Sequence, residues 1–270
     1  MKSDRRTFLG LLAATAGAFA AGCGSVGGSG RRLRLAVQMW SVDKLWKKDL
    51  PGSFAKLRAM GYEGVQSLAF LDQDRKALEK ALRDNGLIVV DMPFRRAMMA
   101  PDRINSYLEF CDQFGIRFIY DPWEPCKTAD EWKKVADELA ELARKLAPRG
   151  LRVGYHNHRV ELETRFPDGR TPMDILADRG LPFELDVGHV KLGGGDPVAW
   201  LRRLSGRVPS IHAKPGGGNW TGCAEDANDW SAILPAAVAA GAEWAVVECE
   251  ERRDTFADVD ASARYLRPRI

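Results

Sequence analysis

Short apolar runs alternate with longer amphipathic stretches eight times along this chain, and that alternation is its tightest constraint on fold. The runs read as strands at 33–40, 64–68, 87–92, 117–120, 152–157, 183–187, 208–213 and 244–248. Helices are expected at 51–60, 74–85, 103–114, 129–146, 172–177, 197–204, 230–240 and 256–266. The fourth is the clearest: Val135, Leu139, Leu142 and Leu146 recur at helical spacing, and Pro148 and Gly150 stop it. A glycine precedes most strands (Gly61, Gly86, Gly115, Gly150, Gly206, Gly241), as expected where a left-handed residue ends a helix. Eight β/α units in about 240 residues match an α/β fold, the (β/α)8 TIM barrel, for which about 250 residues is typical. A doubly wound open sheet would need a glycine-rich nucleotide fingerprint after its first strand, and Gln38-Met-Trp-Ser41 is not glycine-rich.

The N-terminus reads as an address rather than a segment of the fold. Residues 1–22 look like an export signal, with Ser3-Asp-Arg-Arg-Thr-Phe-Leu9 in the style of twin-arginine leaders. The apolar stretch 8–21 is too short and too rich in Ala and Gly for a permanent membrane span. Ala20-Ala-Gly-Cys23 resembles a lipoprotein processing site, at which Cys23 would be lipidated, although Ala20 stands where Leu is usual. The alternative is an ordinary cleaved signal with an incidental cysteine. Residues 23–30 form a Gly/Ser-rich tether, and 31–270 the barrel. The expected location is therefore the periplasm or cell envelope, with membrane contact only through a lipid anchor at Cys23.

Net charge is +3, of which Lys2, Asp4, Arg5 and Arg6 contribute +2. The near-neutral remainder gives no basis for a nucleic-acid partner. Cys111, Cys126, Cys223 and Cys249 show no Cys-x-x-Cys spacing, which argues against a thiolate zinc site. An oxidising envelope would permit a disulfide, but the sequence does not select a pair.

The chain has four histidines, His156, His158, His189 and His212, each at or just past the end of an expected strand. Active groups of a barrel gather at the C-terminal ends of its strands. Strand parity puts His156 and His158 on one face, and likewise Glu184 with Asp186, His212 with Lys214, and Glu248 with Glu250. The inward face of strands five to eight then ends in imidazole, carboxylate, imidazole, carboxylate. Such a mixed nitrogen and oxygen set suits one divalent ion: Mn, Co, Zn or Mg. His156 is either a ligand or a pocket histidine, and His158 on the same face is a rival ligand. Glu250 is a rival to Glu248. Lys214 reads as catalytic or as a surface salt bridge, and Glu161 and Glu225 either reach the site from loops or are solvated, the second being the ordinary case. Trp40, Phe94, Trp123 and Trp220 fall in the upper loops, where they either stack on a sugar face or simply pack. Gly216-Gly-Gly-Asn-Trp220 lacks the helix start and basic cluster of a phosphate cradle.

At these residues the sequence resembles the sugar phosphate isomerase/epimerase superfamily of xylose-isomerase-like barrels, in its exported Tyr-His-Asn-His variant. The resemblance runs through Gly154-Tyr-His-Asn-His158, Glu184-Leu-Asp-Val-Gly-His189, Gly193-Gly-Gly-Asp-Pro197, His212-Ala-Lys214 and Val246-Val-Glu-Cys-Glu250. It implies one divalent metal held by His156, Asp186, His212 and Glu248, with His189 on a substrate hydroxyl and Lys214 and His158 lining the pocket. Two departures stand out. Epimerases of the superfamily carry Glu where this chain has His156, so Glu248 lacks its twin. Gln66 stands where many relatives have Glu.

The resemblance implies metal-assisted proton transfer next to a sugar carbonyl, with Glu248 or His158 taking the proton. Its return to another carbon or face gives isomerisation or epimerisation. Loss of a β-substituent gives lyase or dehydratase chemistry instead. Export favours an unphosphorylated sugar, keto-sugar or 3-keto-glycoside over a phosphosugar. A non-catalytic envelope sugar-binding protein is the rival from another class. An endonuclease-IV-like repair enzyme would need more ligands and a basic groove.

Overall fold

The computed structural model describes residues 32–100, 102–217, 222–250 and 255–270. The export signal, the tether, Cys23 and Trp220 lie outside the described residues, as does the side chain of Glu225. β1 (Arg34–Gln38) leads to α1 (Asp43–Trp46) and α2 (Leu50–Met60). β2 (Gly64–Gln66) precedes α3 (Arg75–Asn85), and β3 (Ile88–Val89) and β4 (Met92–Pro93) precede α4 (Ile104–Gln113). β5 (Phe118–Asp121) precedes α5 (Ala129–Leu146); β6 (Arg152–His156) precedes α6 (Val160–Glu163) and α7 (Pro172–Asp178). β7 (Phe183–Asp186) runs directly into α8 (Val187–Leu192), then α9 (Pro197–Arg203). β8 (Ser210–Ala213) and α10 (Trp230–Ala239), then β9 (Trp244–Val247) and α11 (Ala257–Leu266), complete the series.

All strand pairs are parallel, in the order β3-β2-β1-β9-β8-β7-β6-β5-β4. β3 and β4 are two halves of one stave, so eight staves form a nearly closed TIM barrel. The sequence suggests one continuous strand at 87–92. The structure instead pairs its first half with β2 and its second half with β5. Strands of a closed barrel tilt and stagger, so a short stave meets its two neighbours at different heights. Every residue of β5, β7, β8 and β9 is buried, because side chains on one face fill the barrel and those on the other meet the helices. The six glycines before strands all have positive φ, between 60° and 101°.

Two local devices set helix starts. Thr128 and Glu131 form a capping box at α5, each satisfying the other's backbone N–H. Asp186, the last residue of β7, caps α8 by accepting from the His189 N–H at 2.7 Å. The α8 turn is not expected from the sequence, because Asp-Val-Gly-His shows no apolar period of its own.

The staves that carry the site are held close. Gly154 of β6 has no room for a side chain, since a Cβ there would meet the Pro182 carbonyl oxygen at 2.2 Å. Overfilling a packed interior costs about 1–3 kcal/mol. Gly154→Ala should therefore lower unfolding free energy by that amount in a urea titration. A loss below about 0.5 kcal/mol would show that β6 and β7 are not pressed together here.

Candidate active site at the C-terminal ends of the strands

Register places the site. Asp186 pairs with His212 across β7 and β8, and His156 pairs with Glu184 across β6 and β7. Glu248 follows β9, its N–H on the Ala213 carbonyl at 3.4 Å. The Tyr-His-Asn-His segment divides its work. Tyr155 points outward and donates to Glu161 Oε1 at 2.7 Å. His156 points inward and is 5% exposed. Asn157 grips the backbone of Asp186, donating to its carbonyl at 3.2 Å and accepting its N–H at 3.0 Å. His158 lines the cleft above. Gly188, just after Asp186, allows α8 to approach the next stave, since a Cβ would lie 2.7 Å from the carbonyl oxygens of Lys214 and Pro215.

His156, Asp186 and His212 each offer a buried ligand atom, all within 4.8 Å of one another. Asp186 Oδ1 is occupied by the α8 cap, while Oδ2 makes no hydrogen bond. Neither does His156 Nδ1 nor His212 Nδ1. His212 Nδ1 faces Glu248 Oε2 at 3.2 Å and Asp186 Oδ2 at 3.7 Å. A bare imidazole lone pair against two carboxylate oxygens is repulsive, so the arrangement calls for positive charge at that point. A proton on His212 or a divalent ion would supply it. The donors fit such an ion in type, burial and spacing. The grouping contains His156 rather than His158, whose ring lies 4.8 Å from that of His189.

Beside this cluster sits Lys214, 1% exposed. Its Nζ lies 2.8 Å from Glu248 Oε2, 3.0 Å from His189 Nε2 and 3.5 Å from Asp186 Oδ2, and it also bonds Glu250. This excludes the surface salt-bridge reading of Lys214. Glu248 is as much the partner of this ammonium as of His212.

The electrostatics follow from burial set against these neighbours. Burial alone would strip the charge from Asp186, but Lys214 and the imidazoles outweigh it and hold its pKa well below the usual carboxylate range. Glu248 is lowered in the same way, with Lys214 the strongest opposition to burial. Burial also disfavours charge on His212, yet Glu184, Asp186 and Glu248 together push its pKa well above 6.5. His156, buried and beside His212, is pushed well below 6.5, which leaves it neutral. His158 is lowered to about 3, first by burial and then by the neighbouring imidazoles.

Below the rim lies a polar layer of which the sequence patterns single out Glu184 and Gln66 but not their partners Asp91 and Ser210. Gln38, Gln66, Asp91, Glu184 and Ser210 project into the barrel and bond one another. Glu184 Oε2 lies 3.1 Å from His156 Nδ1 and 3.2 Å from His212 Nε2. Burial, and then Glu184, raise the Asp91 pKa to about 8. The one signal for this layer in the sequence is a polar residue at an inward position inside an otherwise apolar run.

A cleft of about 600 Å³ opens over the rim, lined among others by Trp40, Arg95, His158, Glu248 and Glu250. Trp40 is 47% exposed at this cleft, whereas Trp123, 57% exposed, lies outside its lining. Phe94 is fully buried, which rules it out as a platform. Glu161 is not solvated either: it is fully buried, with Tyr155 Oη and the His158 N–H on its carboxylate.

Glu161 gives a pH signature. Burial outweighs its hydrogen bonds and raises its pKa from 4.5 to about 7. The folded state thus holds this proton more tightly than the unfolded chain. The resulting stability is full below about pH 4.5 and is lost as pH rises through 7. Glu161→Gln should flatten the fall in stability between those values, as followed by thermal unfolding at several pH values. Identical slopes in the two proteins would contradict the burial described.

Residues 54–269 match the family model for the xylose isomerase-like TIM barrel. Inosose dehydratase of Geobacillus kaustophilus is 26% identical over 185 residues, 64% of this chain and 56% of that protein. The match to inosose dehydratase of Clostridium beijerinckii is 30% identical over 86 residues, 32% of this chain and only 28% of that protein. Among solved structures, a sugar phosphate isomerase/epimerase from Parabacteroides distasonis superposes with a TM-score of 0.75 at 21% identity, covering 90% of this chain and 95% of that one. A 3-keto-D-glucoside 4-epimerase from E. coli gives 0.67 at 16% identity, covering 88% and 100%. At such identities these structures speak for the fold alone. With the family model spanning most of the barrel, the chain belongs to the xylose isomerase-like TIM barrel family.

Proposed function

We propose that this protein is a divalent-metal-dependent isomerase or epimerase that moves a proton next to the carbonyl of an unphosphorylated sugar or keto-sugar. The observation that carries this reading is the meeting of His156, Asp186 and His212 beside the Lys214–Glu248 pair, under a cleft of sugar size. A bound ion would polarise a substrate carbonyl and acidify the neighbouring C–H. Glu248, held as a carboxylate, would serve as base at that carbon. Lys214 would keep it charged and donate to a substrate oxygen, with His189 beside it. His158 lines the same cleft, where burial and the neighbouring imidazoles keep its ring neutral. Trp40 would cover the sugar ring. The export signal expected at the N-terminus supports a substrate without phosphate.

A second reading, β-elimination by a dehydratase, draws on the inosose dehydratase matches and on His156 standing at strand five. Both reactions begin with loss of the same proton and differ in what leaves next.

The test is an NMR screen in D2O of inososes, free sugars and 3-keto-glycosides, with Mn, Co, Zn or Mg supplied. Deuterium at one carbon with an inverted or relocated centre supports the isomerase or epimerase; loss of water supports the dehydratase. Glu248→Gln should lower kcat by about 10²–10⁴-fold, as expected for a general base. Turnover that survives both His212→Ala and Asp186→Ala would sink this site, and binding without turnover would leave a sugar-binding protein. Less than about one tenth of an ion per chain after reconstitution would remove the metal from the reading.

A further inference from the structure

The orientation of His212 is decided by an amide beneath it. Gln66 is fully buried at the end of β2. Its Nε2 donates to the carboxyl oxygens Asp91 Oδ1 and Glu184 Oε1, the latter at 2.5 Å. An amide nitrogen only donates and an amide oxygen only accepts, so the end of Gln66 that meets a fixed donor must be its oxygen. The oxygen therefore faces the other way, toward Gln38 Nε2 at 2.5 Å and His212 Nε2 at 3.0 Å. Gln38 is fixed independently, because its own oxygen accepts the Trp40 N–H at 3.2 Å. Gln66 thus uses both donors and both acceptor positions. No other natural side chain except Asn offers that set, and Asn is one methylene shorter.

An acceptor-only oxygen against His212 Nε2 demands a proton on that nitrogen. Glu184 Oε2, 3.2 Å from the same atom, demands it too. Nδ1 is then left toward Asp186 and Glu248, where it makes no hydrogen bond.

We propose that Gln66, clamped by Asp91 and Glu184, is a positioning residue that keeps the proton on Nε2 of His212 and thereby presents Nδ1 as the atom that takes the divalent ion. Only the role of Nδ1 rests on the metal reading above; the proton on Nε2 follows from the amide network whether the ring is charged or neutral. A glutamate here would set a third carboxyl group beside Asp91 and Glu184 and would remove both donors.

The test uses the full chain with 15N-labelled histidine, since four rings give a spectrum that single His→Asn variants can assign. Long-range 1H–15N spectra are recorded without metal and with zinc. The expected result is a protonated His212 Nε2 in both states, with Nδ1 the nitrogen whose shift moves on zinc addition. An unprotonated Nε2, or a zinc-dependent shift at Nε2, overturns the proposal. Gln66→Met, similar in shape but without hydrogen bonds, should weaken zinc binding about 10–100-fold, the effect typical of ligand-orienting partners. Unchanged zinc affinity in a folded Gln66→Met protein also overturns it. If that variant does not fold, the wild-type spectra decide alone. A wild-type protein that takes no zinc yet keeps the Nε2 proton removes the metal reading while supporting the orienting role of Gln66.

Discussion

The buried ammonium of Lys214 is what makes the rest of the rim possible. Asp186, Glu248 and Glu250 all lie against it, and taking carboxylates out of water is tolerable only beside such a partner. His212 acts in the same way deeper in the barrel, between Glu184, Asp186 and Glu248. Removing either positive group would leave carboxylates facing one another at the top of the barrel. The charges are balanced in place rather than diluted by solvent, so their geometry is stiff and their protonation states are set by neighbours.

That balance depends on register. One residue of slip between β7 and β8 would turn Asp186 or His212 toward the helices, because successive side chains point to opposite faces. Several devices guard against it. Asn157 bonds both backbone groups of Asp186, Gly154 and Gly188 allow backbones to touch where any side chain would hold them apart, and the Asp186 side chain starts α8. Asp186 shows how structure and chemistry share one residue: Oδ1 builds the helix, and Oδ2 is left for the site.

Much of this is legible along the chain. Eight apolar runs with amphipathic partners give the barrel, since the pattern of burial along a strand or helix is a local property of sequence. The histidines and acids at strand ends locate the site for the same reason. Glu161 misleads because a glutamate in a polar loop usually meets water; here Tyr155 and the His158 backbone close over it. Of the two readings open for Phe94, packing is the one realised: its neighbours along the chain resemble a loop, whereas its neighbours in space are core. Glu184 and Asp91 do not stand out as a polar layer because their partners lie on other staves: Gln66 is 118 residues from Glu184 and 25 from Asp91.

The sequence by itself determined the barrel, the end of it that carries the chemistry, and the residue types gathered there. Those follow from periodicity and from side-chain parity, which act over a few residues. Only the tertiary structure decided that His156 rather than His158 groups with Asp186 and His212, and that Lys214 is buried rather than exposed. It alone placed the Gln38–Gln66 amide chain under His212. Those outcomes depend on distances of a few ångströms between staves far apart in the chain. Such distances are set by barrel closure, stagger and the packing of its interior, none of which is written in any one segment.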